Sequence, residues 1–379
     1  MGIGANDEEW KQLELPVHLG GAALTNAEHR HHAAFYASYT AAVELDGWTP
    51  NEHVLQRVRS AINLAVRPDA ASFVVNESDR DTMNIATGGW VDLAPGQATC
   101  SQAYLSRWLT YSEIACLSAA SARTADRLCR LADPYAGAFH NAVPSMDGCL
   151  CNDSFVITNQ QRLGRDVYTH AGHLCPVCVT RQATLNKSDA RTGKKSAPRH
   201  PGYVDAGGAH SLKCGYGGDR MARHNRLVRR IGDLATAAGK STSFEQNVTP
   251  GSDKNYRAGD LVIRGGARNG KDLVIDVGIV FGGQFDPNTQ ATTCNATAAA
   301  DQYAATKDKR YKNDIEANGD MEFAPITVSH FGVWSVSSLA TLKHIARLAT
   351  ANIADPQRAS RARYHIFTRL SVDIQNENA

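Results

Sequence analysis

Two short clusters, Cys175-Pro-Val-Cys178 and His210-Ser-Leu-Lys-Cys214, constrain this chain more than any other feature of its sequence. Two thiolates two residues apart grip one side of a metal ion. A histidine and a cysteine three residues apart can supply the other corners of a tetrahedron. A Cys3His zinc site closes from these four residues, so residues 165–218 are expected to fold around a metal and not around an apolar core. The two halves are far apart in the chain, but loop-closure entropy grows slowly with length, and a long intervening loop can be extruded. Residues 186–209, poor in large apolar side chains and carrying Gly193-Lys194-Lys195, Pro198 and Pro201, read as that loop. The alternatives are incidental cysteines with a surface His210, or a redox role for the CxxC pair, whose flanking residues lack a thioredoxin-like strand and helix. His170, His173 and His200 are nearby substitute ligands, and Cys149 and Cys151 are left outside the site. Of the nine cysteines, Cys100, Cys116 and Cys129 sit singly in helical-looking segments and read as small buried hydrophobes.

The chain on either side of this module has ordinary aliphatic patterning, so it is expected to be multidomain. Residues 1–164 read as a mainly helical domain. Asn51–Val66 has helical period, and Ser101–Ala132, stopped by Asp133-Pro134, is long enough for two helices. Residues 219–379 read as α/β. A helix over Arg223–Gly239 is followed by strands at Asp260–Ile263 and Leu273–Val277, joined by the turn signals Gly265-Gly266 and Asn269-Gly270. A helix in Asn295–Asn313, a strand at Phe323–Val328 and helices over Ser335–Asn352 and Arg361–Gln375 complete the domain. Hydrophobic content of 42% is enough for real cores. No apolar run approaches the roughly 20 residues of a membrane span, and Met1–Leu15 lacks the apolar stretch of a secretory signal. No membrane partner is expected, and the chain reads as soluble and intracellular.

Charge is distributed unevenly. Residues 1–160 carry 10 Lys/Arg against 18 Asp/Glu, whereas residues 180–240 carry 13 against 4. A basic block of this size suits a polyanion, because Lys and Arg on phosphates release counterions; a solvated loop rich in lysine is the bland alternative. The expected nucleic-acid contacts are Lys194, Lys195, Arg199, Arg220, Arg223, His224 and Arg226.

A second metal constellation can be read from the carboxylates. Nucleases that cut phosphodiesters with divalent cations hold the ion on carboxylates from neighbouring strands, with a lysine beside the scissile phosphate. Asp260 opens one predicted strand and Asp276 lies in the next, so a strand pair joined by a turn could bring both to one edge. Glu245 follows the preceding helix. Tyr303, Lys307 and Tyr311 recur every four residues and share a helix face, from which Lys307 could reach the pair. By spacing alone, a surface Asp and Glu are the better reading, since both are common at strand starts and in turns.

The order of these pieces resembles the C-terminal region of site-specific non-LTR retrotransposon reverse transcriptase proteins. The string from Val204 through His210 to Cys214 looks like the second half of that family's CCHC knuckle, and Arg223-His224-Asn225 like the helix after it. Glu245, Arg257-Ala258-Gly259-Asp260, Asp276-Val-Gly-Ile-Val280 and Lys307-Asp-Lys309-Arg310-Tyr311 look like successive parts of its restriction-like endonuclease. Leu15-Pro16, His140–Pro144 and Gln161–Gly164 resemble segments upstream of the knuckle. The resemblance implies three parts: a helical post-polymerase domain (1–164), a zinc knuckle with a basic insertion (165–218) and a PD-(D/E)xK-type, restriction-endonuclease-like α/β domain (219–379). It implies Mg2+ or Mn2+ on Asp260 and Asp276, support from Glu245 and Lys307, and structural zinc on Cys175, Cys178, His210 and Cys214. The implied activity is nicking of target DNA in the nucleus to prime reverse transcription. DNA, and RNA or a reverse transcriptase polypeptide, would be the partners. Two departures stand out: Gly259 replaces the family proline, and Gly278 stands where a lysine two residues after Asp276 would be. With no paired-aspartate polymerase motif, polymerisation is not expected. A catalytically inactive nucleic-acid-binding module and an assembly protein derived from a retroelement are the alternatives.

Overall fold

A computed structural model describes residues 6–24, 102–142, 149–180, 202–214, 218–246, 259–282, 295–317 and 319–376, with isolated positions at 183 and between 30 and 58. The chain divides into two units, Met1–Leu128 and Cys129–Ala379. The expected helix at Asn51–Val66 lies almost wholly outside the described residues, as does Cys100. Among the described residues, no helix is long and apolar enough to cross a membrane.

In the first unit, α1 (Asp7–Glu14) begins on a capping box in which Asn6 and Glu9 exchange side-chain and backbone hydrogen bonds. It meets α2 (Gln102–Ala120). Helix α3 (Ala122–Leu131) follows after Ser121, so the long Ala/Leu-rich stretch is indeed two helices. Arg127 donates to the buried Gln12 side chain at 2.9 and 3.1 Å, tying the end of this stretch to α1. Two cysteines depart from expectation: Cys116 points out of α2 and is exposed, and Cys129 is disulfide-bonded.

The second unit is built on a four-stranded sheet in the order β1 (Thr242–Gln246), β2 (Gly259–Ile263), β3 (Asp272–Val280), β4 (Met321–Ser329). The first three strands pair antiparallel, and β4 adds parallel to β3. Strand β1 is a finding of the structure; its residues read only as a segment trailing a helix. Ahead of the sheet come α4 (Asn152–Arg162), the short α5 (Ala209–Lys213) and α6 (Gly218–Ala237). Helix α7 (Ala298–Glu316) makes the connection that a parallel β3–β4 pair requires. Helices α8 (Val336–Ala349) and α9 (Pro356–Gln375) close the unit.

Strand alternation sorts the sheet into two faces. Leu261, Ile263, Leu273, Ile275, Val277, Ala324, Ile326 and Val328 form one core with Leu227 and Ile231 of α6, Leu342 and Ile345 of α8, and Phe367, Leu370 and Ile374 of α9. The intervening positions turn to α7. There Val262, Val274, Phe323 and Ile315 make a second, smaller core. Burying one aliphatic side chain of this kind contributes about 1.5–3 kcal/mol. Both faces of the middle strands are therefore covered, and a polar side chain on the α7 face must find a partner.

Candidate metal-binding sites

The first site is built on backbone pairing that brings its two halves together. Cys175 N–H donates to Gly202 O at 2.8 Å, Val204 N–H to His173 O at 2.9 Å, and Gly172 N–H to Val204 O at 2.8 Å, around an isolated bridge between Leu174 and Tyr203. A helical turn at 176–180 then carries Cys178. On the other side, Asp205 caps α5: its carboxylate accepts the N–H of Ala209 at 2.8 Å and of His210 at 2.6 Å. These restraints bring one ligand atom each of Cys175, Cys178, His210 and Cys214 within 4.8 Å of one another. Cys178 Sγ lies 3.4 Å from His210 Nε2 and 3.5 Å from Cys214 Sγ. All three thiols are buried. A Cβ on Gly202 would stand 2.0 Å from the His210 ring, so only glycine lets the imidazole in.

Burial, with the neighbouring thiols of Cys214 and Cys175, pushes the Cys178 thiol up to about 11. Such a cluster is poorly satisfied as thiols and well suited to a soft-ligand dication that displaces their protons. The Cys3His cluster could hold a zinc ion. Among the described residues, no other group gathers three or more metal-ligating side chains.

The second site lies on the α7 face of the sheet. The β2–β3 register pairs Leu261 with Ile275, which sets Asp260 opposite Asp276 one step along on the same face. Asp260 Oδ2 accepts Val277 N–H at 2.7 Å, and Asp260 Oδ1 is 3.3 Å from His224 Nε2. From α7, Lys307 Nζ reaches Asp276 Oδ2 at 2.7 Å and donates to Val277 O at 3.1 Å, with the Tyr303 ring centroid 5.1 Å away. Lys309 and Lys312 are exposed. Gly278 explains the approach. A Cβ there would stand 2.3 Å from the Tyr303 ring and 2.8 Å from Lys307 Cε, so the bare backbone at this position is the space the lysine occupies.

Burial pushes the Asp276 carboxyl up to about 6, helped by the nearby Asp260 charge and opposed by Lys307. Burial acts on Asp260 in the same direction. There the His224 side chain, the Val277 N–H and a hydrogen bond shared with Asp276 outweigh it and hold the carboxyl below the usual range. Two adjacent carboxyls with their affinities for protons driven apart thus share this face of the sheet. Neither a protein-family model nor a curated protein matches the chain.

Not every expected residue joins these sites. Glu245 is on β1, exposed, with a left-handed φ of 49°, and it does not form a three-ligand group with the aspartates. Arg223, expected on the nucleic-acid surface, is buried at 3% exposure. The reason is helical period: Arg223, Leu227 and Ile231 are spaced by four and share the inward stripe of α6. His224, also expected to meet nucleic acid, lies against Asp260. Arg226 is exposed on α6, and Arg220 lies in its first turn. Lys194, Lys195 and Arg199 lie outside the described residues. Asp205 and Gly202 had no distinguishing signal in the sequence, because each matters through contacts that the fold makes, Asp205 with the N–H groups of Ala209 and His210, and Gly202 with the His210 ring and the Cys175 N–H.

Proposed function

We propose that this chain is a divalent-cation-dependent DNA endonuclease of the restriction-like kind, related to the non-LTR retrotransposon proteins that its sequence resembles. The observation that carries the reading is Lys307 beside a pair of register-matched aspartates, Asp260 and Asp276, on adjacent strands. Mg2+ or Mn2+ on these carboxylates would supply positive charge to polarise a phosphodiester. The residues of the chain do the positioning. Val277 N–H and His224 aim the Asp260 carboxylate, and Val277 O with the Tyr303 ring aims the Lys307 ammonium. That ammonium stands where it can offset charge on a phosphate drawn to the acidic pair. The Cys3His cluster, with zinc, would be a structural clasp presenting its flanking basic residues to DNA or RNA. A role in nicking a chromosomal target puts this chemistry in the nucleus, with a reverse transcriptase polypeptide as a natural partner.

The decisive assay is nicking of supercoiled plasmid with added Mg2+ or Mn2+. Asp276→Asn and Asp260→Asn should each slow it by on the order of a hundredfold or more. A double variant that nicks at the parental rate overturns the assignment. One observation favours a second reading, a binding module without catalysis: Lys307 and His224 already meet the two carboxylates, and Glu245 adds no third ligand. Tight DNA binding by a protein that never cuts would select it.

A further inference from the structure

On the face of the sheet away from α7, helices α8 and α9 part around a cleft of about 310 Å³. Its floor is apolar and fixed. Phe367 is buried and stacks on Tyr135 with ring centroids 4.2 Å apart, and Ala346, fully buried, leaves the room above them. Its walls carry Lys343 and Arg347 from α8 and Arg363 and Tyr364 from α9, and no lining residue is acidic. Lys343 Nζ lies 5.9 Å from the Tyr135 ring centroid, Arg363 Nη1 lies 3.5 Å from Thr350 Oγ1, and Asn141 donates to the Tyr364 hydroxyl at 2.8 Å. Among the described residues, no carboxylate forms an ion pair with any of these three cations. Asp133, whose charge Lys343 does feel, is buried and already engaged, accepting the N–H groups of Tyr135 at 2.7 Å and Ala136 at 3.1 Å.

Such an arrangement calls for an anion. Lys343 and Arg347 are four apart on one helix, a spacing at which like charges repel, and Arg363 adds a third positive group. Arg347 lies in the last turn of α8, where a cation suits the helix dipole, but Lys343 and Arg363 are not so placed. Two guanidinium forks around one opening match the oxygens of a phosphate, and the tyrosines beside them offer flat faces to a ring. We propose that this cleft binds a nucleoside phosphate, with the phosphate on Arg347, Arg363 and Lys343 and the ring against Tyr135 and Tyr364. Choosing a nucleotide among phosphates rests on the nucleic-acid reading above; the anion site does not.

The test is calorimetric titration of the full chain, without added divalent cation, using 5′-AMP, adenosine, inorganic phosphate and hexathymidylate. AMP should bind at least tenfold tighter than adenosine or phosphate. Arg347→Gln with Arg363→Gln should weaken AMP at least tenfold, and Lys343→Gln alone should weaken it measurably, with melting curves showing that the variants fold. A hexamer that binds tighter than AMP identifies a unit of a strand as the ligand; one that binds no tighter identifies a free nucleotide. AMP affinity unchanged in the double variant, phosphate equal to AMP, or a phosphoserine peptide that outcompetes AMP would overturn the proposal. Plasmid nicking separates the two readings. A protein that binds AMP here and never nicks loses only the endonuclease; one that nicks while its AMP affinity ignores Arg347 and Arg363 loses only the cleft.

Discussion

A single missing side chain organises the acidic site. Gly278 leaves the space that Lys307 Cε and the Tyr303 ring fill, so Gly278→Ala must push one of them aside. The expected cost is about 1–3 kcal/mol, as for other overpacked sites, and the proposed nicking activity should fall as Lys307 leaves Asp276. A thermal melt and a plasmid assay on the same variant read both effects, and an unchanged pair of numbers contradicts the packing argument. Another residue makes stability depend on pH. Burial first, then the charges of Arg223, Arg130 and Lys213, drive His330 down to about 3. It is neutral in the folded chain but takes a proton on unfolding below about 6.5. The unfolded state thus binds more protons between pH 3 and 6.5, and stability, fully present above that window, declines as pH is lowered through it. His330→Phe should flatten the fall in Tm between pH 6.5 and 4.5; a slope equal to that of the parent protein would show that the buried imidazole is not its source.

At the scale of elements, the Cys3His cluster that could hold zinc depends on α5, a helix too short to be stable alone. Asp205 holds its first turn by accepting two N–H bonds, one of them from the ligand His210 itself. Asp205→Ala should therefore lower zinc affinity by roughly 10–100-fold, the usual effect of losing a partner that orients a ligand. Competition for the metal with a chromogenic chelator measures this, and parental affinity in the variant would mean that the thiolates alone shape the site. The sheet follows the same logic at larger size. The β2–β3 hairpin and the closing helices were legible because hydrophobic period and turn residues are local signals. Strand β1 was not, because five residues, Thr242–Gln246, with one charged and three other polar side chains become a strand only by pairing with β2.

For the whole molecule, the net charge of +2 conceals an acidic first part and a basic middle. If the middle meets phosphates, DNA affinity should fall by roughly tenfold or more between 50 and 200 mM salt, with a linear log–log slope. Filter binding over that range tests it, and affinity insensitive to salt would rule out the basic block as the contact. The structure adjusts which residues can contribute. Arg226 is exposed, whereas Arg223 faces inward among the core residues of α6 and cannot.

The ligand types of the Cys3His cluster, the two central strands, the helices around them and the order in which Asp260, Asp276 and Lys307 appear could all be read from the chain. These follow from spacing and period, which act over a few residues. Folding was needed to bring Asp260 opposite Asp276 across a register, to send Lys307 and not Lys309 or Lys312 to them, to bury Arg223, and to gather cations from α8 and α9 around one cleft. Each of these is a contact between residues distant in the chain. Its energy depends on where packed faces leave room, and no local pattern of side chains encodes that.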